Sequence, residues 1–235
     1  MPQVRNVWVF VILALAAALP LWRCLLLGEA PGPWAHITSM GPWFGPKPGT
    51  PWDVLQADAC LQFFGWRDLV FSAWASGEPP YWNPFVLTGN PLLANSQSAG
   101  FYPLHVLVGV LRLPTGMGIA LLAWFHLFWA GLGVWFLARK LGSSSMSGLV
   151  GGISFTLSAF FVSWVGLASV PTTVSWIPWI CGCAVWAIAA PNVRAYISLA
   201  VCCSMLLLAG HLQFGFYGIL AGLLVFGCSI YAYKP

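Results

Sequence analysis

The stretch GMGIALLAWFHLFWAGLGVWFLA, Gly116–Ala138, holds no charged residue over a length that crosses a bilayer, and its reading decides the fold. A hydrocarbon core roughly 30 Å thick needs about 20 apolar residues in helical form, because backbone polar groups in lipid must bond to one another. Further segments of this kind lie at 6–27, 147–168, 172–190, 196–212 and 214–233. Arg139-Lys140-Leu141-Gly142-Ser143, Ser169-Val170-Pro171, Pro191-Asn192-Val193-Arg194 and a tight corner at Gly210-His211-Leu212-Gln213 separate them. The first segment is read as a retained anchor, its apolar run being long for a cleaved leader, although Ala16–Ala18 keep a cleavage site open.

The whole chain agrees with these spans. Of its 235 residues 60% are hydrophobic and 6% charged, with a mean hydropathy of +0.83, which excludes a water-soluble domain. The expected fold is an all-α integral membrane protein of about six transmembrane helices with one long outer loop. Residues 1–28 form the first span, 29–115 the loop with interfacial amphipathic helices, and 116–235 a bundle of about five helices. Short loops rich in Lys and Arg face the cytoplasm. Placing Arg5 inside puts Arg139, Lys140, Arg194 and Lys234 inside as well, each after an even number of crossings. The net charge of +4 is thus a topology signal, and nothing points to nucleic acid.

Polar chemistry concentrates in the loop. Thr50-Pro51-Trp52-Asp53 has the form of a helix start, with Thr50 as cap, Pro51 in the first turn and Asp53 placed for free amides. Asp58, Gln62, Gly65, Asp68, Ser72 and Ser76 then recur at three- and four-residue spacing, with Leu61, Phe64, Phe71 and Trp74 on the other side. This predicts a helix lying in the membrane interface and ended by Gly77 and Pro79-Pro80. A second short helix is expected near 103–112, with His105 and Arg112 as its polar members.

Asp58 lies two turns into that helix and one turn from Gln62, at a boundary where a carboxylate can serve as a base. The same spacing fits a solvated polar face. Asp68 beside Arg67 reads as mixed surface charge, and Glu78 as a turn residue that, like Gln62, is also a candidate to touch substrate. His211 and Gln213 either line a site on the outer face with Asp58 or form an ordinary polar corner. His36 is an isolated loop histidine, and His126 is suited to interhelical hydrogen bonding. No spacing of His, Cys, Asp and Glu has metal-ligand form, so no cofactor is required by the sequence and a divalent cation stays open. Cys181, Cys183, Cys202, Cys203 and Cys228 are intramembrane small apolar residues, while Cys24 and Cys60 both lie near the outer face, where a bridge between them stays open as the minor alternative to free thiols. Gly148–Gly152 and Gly218–Gly222 have the spacing of close helix contacts. Nucleophile-elbow, phosphate-loop, dinucleotide and zinc-protease motifs do not occur.

Taken together, Gln62-Phe63-Phe64-Gly65-Trp66-Arg67, Gly77-Glu78-Pro79-Pro80-Tyr81-Trp82-Asn83-Pro84, Gly89-Asn90-Pro91-Leu92-Leu93-Ala94-Asn95 and Gln97-Ser98-Ala99-Gly100-Phe101-Tyr102-Pro103-Leu104 resemble the YfhO family of bacterial membrane proteins, within the GT-C class of polytopic glycosyltransferases. The resemblance continues through His126, Ala130–Gly133, Arg139–Gly142 and Ala209–Gln213. It implies a multi-pass protein of the bacterial plasma membrane, N-terminus cytoplasmic. Such a protein moves a sugar from a polyprenyl-phosphate donor to an envelope glycan or other acceptor on the outer face. The matching position for the base is Asp58, and Arg67 or Lys47 would meet the departing phosphate. Asn90, Asn95 and Gln97 either bond sugar hydroxyls or shape their turn. Family members are usually longer, so the chain is expected to be a fragment or a short member. A non-catalytic assembly subunit and a lipid or solute transporter are the competing classes. For a transporter the ionisable midspan residues and inverted repeat are not evident.

Overall fold

The computed structural model describes residues 6–42 and 56–233. The expected start of the loop helix at Thr50–Asp53, and Lys47, lie outside the described residues. Among the described residues, five helices are long and apolar enough to cross a membrane: α1 (Val7–Leu27), α4 (Thr115–Lys140), α5 (Ser145–Trp164), α6 (Ser169–Ala189) and α8 (Leu212–Ala232). A sixth apolar helix, α7 (Val193–Leu208), has 16 residues, about 24 Å of rise. Two shorter helices, α2 (Phe64–Ala75) and α3 (Pro103–Val110), belong to the long connection between α1 and α4. The protein is thus an all-α, membrane-embedded bundle, whose α1–α4 connection lies at what we term its loop end.

Local chemistry sets the helix boundaries. Ser144 and Asn192 accept backbone N–H groups of Ser147 and Ala195 at 3.1 Å, capping α5 and α7. At the end of α2, Glu78 N–H bonds the Ala73 carbonyl and Gly77 N–H that of Trp74, with Gly77 left-handed at φ +78°. This is a Schellman ending, and the same pair of bonds closes α3 through Arg112 and Leu113, and α4 through Gly142 and Ser143. Ser169-Val170-Pro171, expected as a turn between spans, is instead the buried first turn of α6. A proline is tolerated there because first-turn N–H groups have no intrahelical partner to lose. The reversal falls earlier, at residues 165–168.

The core sits between α4 and α6. Burial takes 72% of the central window of α6 but only 22% of that of α8, whose Phe216, Leu223 and Leu224 face outward as a lipid-contacting surface does. Trp129 on α4 stacks on Trp179 of α6 at 4.2 Å between centroids, and Trp179 on Phe136 at 5.1 Å. Trp179 also donates to the Trp129 carbonyl at 2.9 Å. Such pairs add about 0.5–1.5 kcal/mol beyond area burial. Glycines let the helices close. A Cβ on Gly152 of α5 would lie 2.6 Å from the Gly131 carbonyl of α4, and one on Gly222 of α8 would lie 2.5 Å from Ile180. Lys140 Nζ lies 4.1 Å from the Trp186 ring, so the basic end of α4 meets the end of α6 away from the loop end.

No disulfide joins Cys24 and Cys60; both are free thiols, and Cys60 is buried against Gly32. His36 is buried too, its Nδ1 2.9 Å from the Pro33 carbonyl within a 3-10 turn over Trp34–Ser39.

Candidate functional site

A π-helical turn over Ala59–Phe63 leads into α2, and together they lie across the loop end. Gln56 Nε2 reaches the Ser163 carbonyl on α5 at 3.2 Å, and Asp68 accepts from Thr115 at the start of α4 at 2.5 Å. The polar stripe is on the open side: Asp58, Gln62, Gly65, Asp68, Ser72 and Ser76 are all exposed. Phe63, Val70 and Phe71 are buried beneath it. Asp58 Oδ1 accepts from Gln62 Nε2 at 2.8 Å, the contact their four-residue spacing allows.

Arg67 departs from the surface role read for it beside Asp68. Adjacent helical residues point about 100° apart, so Asp68 faces outward while Arg67 is fully buried. Its Nη1 donates to the carbonyl of Gln97 at 3.0 Å and to that of Ser98. A phosphate at the open surface does not reach it in this arrangement. Burial pulls its pKa down to about 9, which leaves it cationic at neutral pH.

The turn that Arg67 grips is built by Asn95, whose Oδ1 accepts from Gln97 N–H at 3.1 Å, the turn-shaping use of that side chain. Gln97 Oε1 accepts from Ser169 Oγ at 3.2 Å. On the same side the α7–α8 corner closes over Ser96. Gly210 is left-handed at φ +98°, and any Cβ there would collide with the Ser96 carbonyl. His211 follows, its N–H donating to Thr173 Oγ1 at 3.2 Å and its Nδ1 capping α8 by accepting from Phe214 N–H at 3.5 Å. Burial lowers the His211 pKa. Gln213 is exposed and donates to Tyr217 Oη at 2.9 Å.

Arg67, Gln97 and His211 therefore gather around the first two turns of α6, Gln97 through Ser169, His211 through Thr173 and Arg67 across the cavity it shares with Pro171 and Thr172. Asp58 and Gln62 lie on the opposite, open face of the same helical run. Glu78 lies apart from Asp58, since α2 alone spans about 18 Å between them. Glu78 is exposed, and Asn90 sits opposite Asn83 in a two-stranded hairpin, β1 (Trp82–Asn83) with β2 (Asn90–Pro91).

Two features carry no sequence signal of their own. The loop drives Tyr102 into the bundle, where its hydroxyl meets His126, eleven residues or about 16 Å into α4. A cleft of about 450 Å³ opens beside Ser72, Ser76, Thr115 and Arg112. Ser72 is fourteen residues, about 21 Å of helix, from Asp58, so Arg112 does not serve that carboxylate. Among the described residues, no group of three or more His, Cys, Asp or Glu side chains is placed to hold a metal ion.

The fold and these contacts define a helical integral membrane protein with a structured loop domain seated in one end of its bundle. Comparison with protein-family models, with curated proteins and with solved structures finds no match.

Proposed function

We propose that this chain is a GT-C-like glycosyltransferase of the bacterial plasma membrane, acting at the loop-end face on a polyprenyl-phosphate sugar donor and an envelope acceptor. The N-terminus and the basic end carrying Arg139, Lys140 and Arg194 are cytoplasmic in this reading. Asp58 carries it. Its carboxylate is exposed at the loop end, held through Oδ1 by Gln62, on a helix whose other face packs on the bundle. An acceptor hydroxyl gives its proton to Asp58 as its oxygen bonds to the anomeric carbon. The carbon–oxygen bond to the lipid phosphate breaks, and the phosphate leaves with the electron pair. Arg67, buried beneath α2, organises the Gln97–Ser98 turn and is not the phosphate's partner.

The test is transfer from a panel of polyprenyl-phosphate sugars in membrane vesicles, native chain against Asp58→Asn at matched folded amounts. Loss of a general base lowers the rate roughly 10²- to 10⁴-fold. Retained transfer in Asp58→Asn would sink the reading. Absence of transfer by both, in a longer version of the chain as well, favours a transporter or assembly subunit.

A further inference from the structure

The buried guanidinium of Arg67 is only half satisfied. Nη1 bonds the carbonyls of Gln97 and Ser98, whereas Nε and Nη2 have no partner among the described residues. These two atoms form one edge of the fork, with two N–H groups set to hold a single acceptor between them. The side chain lines a cavity of about 10 Å³ together with His105, Ile119, Leu122, Pro171 and Thr172. Of the polar neighbours, Thr172 Oγ1 donates to the Ala168 carbonyl at 2.6 Å and His105 Nδ1 lies 2.9 Å from the Ala99 carbonyl; neither is a carboxylate, so neither offers the guanidinium a negative charge. Glu29, Asp58, Asp68 and Glu78, the described carboxylates, are all exposed, and none is ion-paired to Arg67. A buried charge without a counter-charge costs several kcal/mol.

We propose that this cavity is a halide site, in which Arg67 holds one chloride ion across its Nε–Nη2 edge. The volume suits a single sphere about the size of a water molecule and is too small for a phosphate or sulfate. Between a halide and a water the charge decides. A halide brings the negative charge that no described carboxylate brings to Arg67, and it needs only donors, which this edge supplies. Chloride there completes the clamp that fixes the Gln97–Ser98 turn between α2 and α6, and it does so whether or not the protein transfers sugars.

The experiment is thermal unfolding of the purified full chain in detergent. Chloride is titrated against gluconate at constant ionic strength and pH, with bromide as the substitute that anomalous scattering can locate. The expected result is a saturable rise in Tm of a few degrees, equal for chloride and bromide. It is accompanied by one bromide peak at the Arg67 edge and is absent in Arg67→Gln. Identical Tm in chloride and gluconate overturns the proposal, as does a halide response that persists in Arg67→Gln. Should that variant fail to fold, the native titration and the bromide position decide alone.

Discussion

The Tyr102 hydroxyl lies 2.8 Å from Nε2 of His126, joining the loop to the interior of α4. His126 Nδ1 is 2.6 Å from the Leu122 carbonyl and must donate to it, so Nε2 is the acceptor and the hydroxyl the donor. The Tyr102 oxygen in turn accepts from Trp176 Nε1 at 3.0 Å. Burial raises the Tyr102 pKa, which keeps the proton on the hydroxyl. Three elements distant in sequence thus share one satisfied polar chain.

Tyr102→Phe is expected to destabilise the fold by about 2 kcal/mol or more, because it leaves His126 Nε2 and Trp176 Nε1 buried with no partner. The ring contact with His105, 5.1 Å between centroids, survives the change, so the loss reports the polar chain. Thermal unfolding in detergent measures it. An unchanged midpoint would mean that the chain contributes no net stability.

Gly210→Ala tests the closure of the α7–α8 corner on the loop. Two penalties combine, a left-handed backbone at φ +98° and a Cβ driven into the Ser96 carbonyl. The cost is expected at about 1–3 kcal/mol, with faster proteolysis of the 92–102 segment. Gly142→Ala is the control: it shares the positive φ but meets no atom within 4 Å. Equal effects of the two would assign the whole penalty to backbone strain.

How far such features can be read ahead differs by kind. The spans are legible because hydrocarbon thickness fixes length and composition together, and observed boundaries such as Thr115–Lys140 fall within a few residues of 116–138. The exposed stripe from Asp58 to Ser76 and the end at Gly77 follow from helical periodicity and a left-handed glycine. What periodicity cannot supply is the partner. His105 and Arg67 read as polar surface residues yet are buried, because the acceptors that make burial tolerable are carbonyls of Gln97, Ser98 and Ala99, and every residue carries a carbonyl. The pairing of Tyr102 with His126 is hidden for the same reason: only the three-dimensional path of the loop brings them together.

Arg112→Gly is expected to stabilise the protein by about 0.5–1 kcal/mol. Arg112 occupies the left-handed position of the α3 ending at φ +53°, where Gly77 and Gly142 serve in the equivalent endings of α2 and α4. The side chain is exposed, so its removal forfeits little packing. A lower unfolding midpoint in the variant would show that Arg112 makes an interaction worth more than the strain.

Mild acid should weaken the fold through His105. Burial first, and the Arg67 charge second, hold its pKa well below 6.5, so the folded protein keeps the ring neutral. The unfolded chain binds a proton near its ordinary pKa of about 6.5. Unfolding therefore takes up a proton below that pH, and stability falls as pH drops from about 6.5 toward the folded-state pKa, with no effect above about pH 7.5. The limiting slope is about 1.4 kcal/mol per pH unit for this one group. His211 adds a weaker component of the same sign, since burial lowers its pKa but water screens it. Unfolding midpoints at pH 7.5, 6.5 and 5.5 measure the slope. His211→Asn keeps a side chain able to cap α8, removes that titration and should leave most of the pH dependence in place. A flat profile down to pH 5.5 would show that His105 is reached by protons without unfolding.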